Sequence, residues 1–186
     1  MIRFVTTNEG KFREVFDKLL EHGIRIEHLD RGYPEIQADS LEKIVRFGAT
    51  ELDAQVQGDY LIDDSGLFVD ALSGFPGPYS SYVYKRVGCP GILKLLQGVP
   101  RRSASFQTVF LFRKGGEHMT FRGECVGAIA EREQGKAGFG FDPIFVPQGE
   151  ARTFAEMSLK EKNAYSHRAR AVDELLSFLK GARGEP

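Results

Sequence analysis

The sequence lacks an excess of charge of either sign, because 25 lysine and arginine residues balance 26 aspartate and glutamate residues to a net charge of −1. This balance excludes a global basic field that would recruit nucleic acid or an anionic membrane surface. A charged ligand must therefore be bound by a local cluster of basic side chains. No apolar run approaches the about 20 residues of a membrane-spanning helix, and the opening MIRFVTTNEGK has no signal-peptide core. We expect a cytoplasmic protein without membrane partners or stable nucleic-acid partners.

Cysteine and histidine are also scarce, with two and four residues. Cys89 and Cys125 lie far apart and belong to no CxxC or Cys/His pattern, so we interpret them as reduced core residues. The histidines show no HxxxH-type spacing, which argues against a histidine-built zinc site.

The order of periodic segments predicts one mixed α/β domain over residues 1–186. A strand, a helix with apolar residues on one face and a second strand open the chain, which favours a parallel β-α-β unit. Asp39 and Glu42 form a possible capping box for a second helix, and Ser158 and Glu161 form one for a C-terminal helical region. Strands are predicted at 2–6, 24–29, 60–64, 103–114 and 119–132, and helices at 11–22, about 40–56, up to Leu96, and 158–180. The hairpin of the last two strands and its neighbours would form a second lobe, and residues 181–186 a frayed tail.

Two adjacent aspartates occur in LIDDSGL, residues 61–67. Because strand side chains alternate between faces, Asp63 and Asp64 must point in opposite directions. One interpretation is that the strand ends here and presents one carboxylate to a functional site. The alternative is an Asp-Ser-Gly turn in which the polar side chains cap their own backbone.

The segment TTNEGK lies between the first strand and the first helix. Free N–H groups and the positive end of the helix dipole make such a turn suitable for a phosphate, and Lys11 adds a positive charge. The segment does not have the GxxxxGK[ST] spacing of a Walker A loop. The alternative is that Thr7 or Asn8 only caps the helix.

Carboxylates are the candidates for holding a metal. Magnesium commonly takes one or two protein carboxylates and completes its shell with water and substrate phosphates. Glu35, in PEIQ, and Asp64 could form such a pair. The alternative for Glu35 is a solvated loop residue.

The glycine-flanked phenylalanines of GFGFDPIF, residues 138–145, could bind a base. An aromatic ring offers a nucleobase a stacking surface worth roughly 1–3 kcal/mol. Asp142 could accept hydrogen bonds from the base or hold the loop. The alternative is a tight turn with both rings in the core.

The basic segment KNAYSHR, residues 162–168, allows two interpretations. On one continuous helix Lys162 and Arg168 would face different directions and could not contact one small ligand. We predict instead that the helix breaks near Tyr165 and that Ser166 caps a new helix, which presents His167 and Arg168. An arginine that donates to a carbonyl oxygen would distinguish a keto purine from an amino purine.

Together these segments resemble the inosine triphosphate pyrophosphatases, which remove non-standard purine nucleoside triphosphates. The resemblance spans nearly the whole chain, through TTNEGK, PEIQ, DDSGL, GFPGPY, GFGFDPIF and MSLKEKNAYSHR in this order. It implies an elongated two-lobed α/β fold with a central cleft, a homodimer, and hydrolysis to a nucleoside monophosphate and pyrophosphate.

The resemblance also implies roles for individual residues. Glu35 and Asp64 would hold magnesium (Mg2+), Asp64 would also be the general base, and Ser65 would contact the substrate. Asp64 would face the site, while Asp63 would support the turn. The phosphates would be held by Thr6, Thr7, Asn8, Glu9, Gly10 and Lys11. The pocket for the base and sugar would be lined by Phe139, Gly140, Phe141 and Asp142, and Phe139 would stack on the purine. The 6-keto edge of the purine would be recognised by Lys162, His167 and Arg168.

The sequence departs from the family pattern at two places. Glycine is usual at the position of Thr7, and a backbone with φ > 0 there would strain a threonine. Bacterial members carry Ser-Ala-Arg where this chain has Ser80-Ser81-Tyr82, so no role of that arginine transfers, and the chain looks closer to the archaeal and eukaryotic branch.

Two other functions remain open at this point. A pyrophosphatase for modified pyrimidine or methylated nucleotides would use a similar site. A non-catalytic nucleotide-binding or RNA-binding module would use the phenylalanine loop and the basic segment alone.

Overall fold

The structure, a computed structural model, describes residues 1–181. Over these residues it contains seven strands and five α-helices. The strands are β1 (Ile2–Val5), β2 (Ile26–Leu29), β3 (Tyr60–Val69), β4 (Pro76–Gly77), β5 (Ser103–Lys114), β6 (Glu117–Ile129) and β7 (Phe145–Pro147). The helices are α1 (Glu9–Leu20), α2 (Leu41–Asp53), α3 (Ser80–Leu95), α4 (Leu159–Tyr165) and α5 (His167–Gly181). Of the tail predicted at residues 181–186, Gly181 ends α5, and the rest lies outside the described residues.

All seven strands belong to one mixed sheet, so the predicted mixed α/β class is confirmed. The strand order is β2-β1-β3-β5-β6-β7, and β4 pairs with β3. β1 is parallel to both β2 and β3, which confirms the parallel opening unit, whereas β4 runs antiparallel to β3. Contacts divide the chain into two compact units. Unit 1 comprises residues 1–64, 108–123 and the chain from residue 167, and unit 2 comprises residues 65–107 and 124–166.

Unit 1 has helices on both faces of its strands. Leu61 packs with residues of α1 and α5 in one apolar cluster, which includes Val15 and Leu175. Tyr60, the preceding residue on β3, points to the opposite face, where its hydroxyl donates to the carbonyl of Ala49 in α2 at 3.0 Å. Alternation along β3 therefore places Asp63 on the α1–α5 face and Asp64 on the α2 face.

Unit 2 has its own apolar core. Phe106, Phe145 and Phe154 pack together, with ring centroids 4.7 to 6.1 Å apart. Leu67 from β3 and Ile92 from α3 belong to the same cluster.

The prediction that a strand ends at Asp64 is wrong, because β3 continues to Val69. No turn therefore forms at Ser65 and Gly66, and Asp63 cannot support one. Gly66 serves a close approach between strands instead: a methyl group built on it would lie 2.2 Å from the carbonyl oxygen of Gly77 in β4. The Ser-Gly pair, a common turn signal, here reflects strand packing.

The remaining local predictions concern the ends of helices. The cap of α2 is Ser40, whose hydroxyl accepts from the backbone N–H of Lys43, and not Asp39. The capping box of Ser158 and Glu161 is confirmed at the start of α4. The predicted helix break is confirmed too, because Ser166 has extended backbone (φ −66°, ψ 148°) between α4 and α5.

No described helix is both long enough and apolar enough to cross a membrane.

Candidate active site

The predicted phosphate segment leads from β1 into the first turn of α1, which begins at Glu9, in unit 1. Asn8 caps the helix by accepting from the backbone N–H of Lys11 at 3.0 Å, as the alternative interpretation of this segment expected. Among the described residues Ser73 is the only non-glycine with a positive φ, so Thr7 carries no strain of the left-handed kind. The Nζ of Lys11 lies 3.2 Å from Oδ1 of Asp63, so the cation is held against β3.

Asp63 is the centre of a buried ion-pair cluster in unit 1. Its carboxylate contacts Lys11, and its Oδ2 lies 3.4 Å from Nε of Arg168 at the start of α5. The guanidinium of Arg168 also pairs with Glu14 of α1. These carboxylates and the guanidinium are buried, and pairing with opposite charge is the condition under which charged groups are tolerated away from water. Sequence reasoning missed Glu14, because no spacing signal connects it to Arg168.

Asp64 lies next to this cluster but on the other face of the sheet. Its side chain is 7% exposed. The hydroxyl of Thr108, in β5, donates to the Asp64 carbonyl at 3.0 Å. The backbone of Asp64 is thus held by Thr108, and the side chain of Asp63 is directed to α1 and α5.

Tyr33 is a second residue that sequence reasoning missed. Its hydroxyl donates to the carbonyl oxygen of Asp63 at 2.8 Å. Burial raises the pKa of the Tyr33 hydroxyl well above its ordinary value, and the negative charges of Asp63, Asp64 and Glu35 raise this pKa further. The residue as a whole is partly exposed. The three carboxylates therefore act together on one phenol, which stays a protonated donor.

The ring of Tyr33 is seated against α2. A methyl group built on Gly48 would lie 2.4 Å from Cδ2 of the Tyr33 ring. Only glycine leaves room for the ring at this point of the helix, so Gly48 and Tyr33 form a matched pair.

Unit 2 holds the second group of predicted residues. The Nζ of Lys162 lies 2.6 Å from Oδ2 of Asp142, and both side chains are buried. The same oxygen accepts the backbone N–H of Phe139 at 2.8 Å. The ammonium group lies 4.8 Å from the ring centroid of Phe139 and 5.2 Å from that of Phe154. The ion pair thereby fixes both the loop and the position of the Phe139 ring.

The two phenylalanines of this loop have different environments. Phe141 is buried in the core of unit 2 and packs edge-on against Tyr84, as the alternative interpretation of the loop expected. Phe139 is only partly buried. Gly140, between them, has a φ of +60°, and its carbonyl oxygen accepts a hydrogen bond from the Cys89 thiol.

The basic residues predicted to act together belong to different units. Lys162 is part of unit 2, whereas His167 and Arg168 begin α5 in unit 1. His167 is buried, and the close approach of Gly123 to its carbonyl shows how tightly α5 packs at this end. Ser65 opens unit 2 as a partly buried residue within β3.

The donor set of unit 1 fits magnesium better than zinc. Within residues 1–181 no group of three or more His, Cys, Asp and Glu side chains is arranged to hold a metal. Glu35, which is exposed in the segment between β2 and α2 as its alternative interpretation expected, and Asp64 are both hard oxygen donors, and magnesium needs only one or two such carboxylates besides water and phosphate.

Comparison with known sequences gives one consistent result. A sequence model described as the Ham1 family matches residues 2–178. The chain is 50% identical over 179 residues to a dITP/XTP pyrophosphatase of Thermococcus kodakarensis, which covers 96% of this chain and 97% of the relative. It is 48% identical over 179 residues to a dITP/XTP pyrophosphatase of Pyrococcus horikoshii, with 96% of each chain covered.

Solved structures agree with this assignment. The Staphylococcus aureus Ham1 protein superposes with a TM-score of 0.81 at 26% identity, covering 97% of this chain and 99% of that one. A nucleoside-triphosphatase or dITP/XTP pyrophosphatase from Mycobacterium abscessus gives a TM-score of 0.71 at 35% identity, covering 95% and 99%. The resemblance seen in the sequence is confirmed, and the chain belongs to the Ham1 family.

Proposed function

We propose that this chain hydrolyses non-standard purine nucleoside triphosphates, such as ITP, dITP and XTP, to the nucleoside monophosphate and pyrophosphate. The observation that carries the proposal is the pair of buried carboxylates on β3, with Lys11 and Arg168 at Asp63, and with Asp64 on the face of Tyr33 and α2. The relatives named dITP/XTP pyrophosphatase support the substrate class.

In the proposed reaction Asp64 takes a proton from a water molecule as its oxygen attacks the α-phosphorus in line. The new bond joins this oxygen to phosphorus, and the bond from phosphorus to the bridging α,β-oxygen breaks. Lys11 offsets the negative charge that develops on the departing pyrophosphate. Bound magnesium, held by Glu35 and Asp64, would neutralise phosphate oxygens.

The base is proposed to be recognised by an aromatic ring and by basic side chains. Phe139 would stack on the purine, and its ring is already held by the Lys162–Asp142 pair. Lys162, His167 and Arg168 would donate to the 6-keto oxygen. An amino group at this position would leave such donors unpaired, which disfavours adenine.

A substrate panel with pyrophosphate detection tests this function. We expect kcat/KM on ITP and XTP to exceed that on ATP by about 100-fold or more, because unpaired donors penalise the amino purine. Chelation by EDTA should abolish turnover, and added magnesium should restore it. Preference for pyrimidine triphosphates would favour the modified-pyrimidine enzyme, and nucleotide binding without pyrophosphate release would favour a non-catalytic module. Either result would overturn the proposal.

We also propose that the protein is a cytoplasmic homodimer. Both cysteines are buried thiols outside any disulfide, which suits a reducing compartment. Large exposed apolar side chains concentrate in one stretch of unit 2, at Phe75, Tyr79, Tyr82 and Val87. Such a surface is typical of an interaction site.

Light scattering after size exclusion tests the dimer. Tyr82 is 62% exposed, and Tyr82→Lys should convert the dimer to a monomer because it places a charge in the apolar surface. Val126→Lys is the control, since Val126 is 46% exposed on β6 and outside this stretch. A monomeric wild-type protein, or a Tyr82→Lys dimer of unchanged mass, would refute the assignment.

A further inference from the structure

We infer that Tyr33 is a positioning residue that sets the geometry of the two metal-binding carboxylates. It is not proposed to touch the substrate. The inference rests on the proposed function, because it assigns Tyr33 to the pair of Glu35 and Asp64.

The first step concerns the peptide bond between Asp63 and Asp64. The carbonyl that accepts the Tyr33 hydroxyl at 2.8 Å belongs to this peptide. A hydrogen bond to this carbonyl fixes ψ of Asp63 and φ of Asp64, and thereby the direction in which the Asp64 side chain leaves the strand. The next carbonyl, that of Asp64, accepts the hydroxyl of Thr108 at 3.0 Å. Side-chain hydroxyls therefore hold the peptides on both sides of Asp64.

The second step concerns the position of this contact along β3. The pairing of β1 with β3 includes Phe4–Leu61, and the pairing of β4 with β3 includes Leu67–Gly77. Asp63 lies between these two ladders. The Tyr33 hydroxyl donates to its carbonyl here, where Lys11 also approaches the same oxygen at 3.5 Å.

The third step connects Tyr33 to Glu35. The two residues are separated by Pro34 alone, and proline restricts its own φ and the conformation of the residue before it. The Tyr33 ring is seated where Gly48 leaves room for it. Anchored at its ring and at its hydroxyl, Tyr33 fixes the start of the segment that carries Glu35 relative to the strand that carries Asp64.

The test measures metal affinity directly, with Mn2+ as the probe followed by electron paramagnetic resonance. The protein is first saturated with an α,β-methylene analogue of ITP, which cannot be cleaved between the α- and β-phosphorus atoms. Tyr33→Phe keeps the ring and removes only the hydroxyl, and we expect the Kd for Mn2+ to rise about 5-fold, the value of one ordinary hydrogen bond. kcat should fall with it, while the ratio of kcat/KM on ITP to that on ATP should stay constant.

Tyr60→Phe is the matched control. The Tyr60 hydroxyl also donates to a backbone carbonyl in unit 1, that of Ala49, and additionally to Asp53 at 2.7 Å. Its removal should lower stability at least as much as Tyr33→Phe but leave the Kd for Mn2+ unchanged. Equal increases in both variants would mean that Tyr33 acts only through stability, and would overturn the inference.

Gly48→Ala provides a second variant if Tyr33→Phe does not fold. It keeps the hydroxyl but displaces the ring from α2, so it should also weaken Mn2+ binding. If the Kd for Mn2+ of the folded variants lies within 2-fold of the wild-type value, the inference is overturned. Pyrophosphate release by the wild type would in that case still uphold the proposed function. A wild-type protein that neither binds Mn2+ nor releases pyrophosphate would overturn both.

Discussion

Asp64→Asn is expected to lower the rate of pyrophosphate release from ITP by about 1,000-fold or more, because the amide can neither accept the proton from water nor serve as an anionic metal ligand. The amide has nearly the same shape as the carboxylate, so the fold should persist. Single-turnover kinetics with saturating ITP would measure the effect on the chemical step. Circular dichroism and urea unfolding would show that the variant is folded.

Asp63→Asn is the informative neighbour control for this experiment. Asp63 accepts from Lys11 and Arg168, which lie on different helices. Removing its charge breaks the ion pairs with Lys11 and Arg168, although Arg168 keeps Glu14, and breaking a buried ion pair typically costs about 3–5 kcal/mol. The two adjacent aspartates should thus differ, with the larger loss of stability at position 63 and the larger loss of turnover at position 64. An Asp64→Asn enzyme with near-wild-type turnover would remove Asp64 from the role of base.

Arg168→Ala is expected to have the largest effect on stability, and also to reduce the preference for ITP over ATP. Arg168 is 2% exposed, and its guanidinium pairs with both Glu14 and Asp63. Its removal leaves two buried carboxylates without this cation, so the free energy of unfolding should fall by about 3–5 kcal/mol. Urea denaturation measures this loss, and the ratio of kcat/KM values for the two nucleotides measures the specificity.

A matched ion pair on the surface isolates the effect of burial. Arg122 and Glu42 also pair within unit 1, but the Arg122 side chain is 68% exposed. Arg122→Ala should therefore cost no more than about 1 kcal/mol. In the Arg168→Ala background, Glu14→Gln should recover part of the stability, because it removes the charge of a buried carboxylate that has lost Arg168, whereas Asp63 keeps its ion pair with Lys11. An unchanged ITP-to-ATP ratio in Arg168→Ala would assign base reading to other residues.

Local signals in the sequence predicted most elements of the fold. The break between α4 and α5 was predictable because a serine follows Tyr165 where one helix could not present both Lys162 and Arg168 to a ligand. The end of β3 was not predictable in this way. Ser65 and Gly66 carry a turn signal, and only the position of Gly77 reveals that the glycine serves strand packing.

The contacts of the candidate site were less accessible from the sequence. The partners of Asp63 lie 52 residues before it in the case of Lys11 and 105 residues after it in the case of Arg168. Tyr33 contacts a backbone carbonyl 30 residues away, which no side-chain pattern can encode. Phe139 and Phe141 both follow a glycine, and only tertiary packing places Phe141 in the core.

The close contact of Gly66 with Gly77 has a consequence for how the DDSGL motif is interpreted. A library that randomises residues 61–67 should require glycine at position 66 in every folded member, whether or not that member turns over nucleotides. The glycine of this motif therefore reports that two backbones meet, Asp63 reports on the buried ion pairs with Lys11 and Arg168, and Asp64 reports on chemistry. A distant relative could retain the glycine and Asp63, lose Asp64, and keep the architecture while having abandoned hydrolysis.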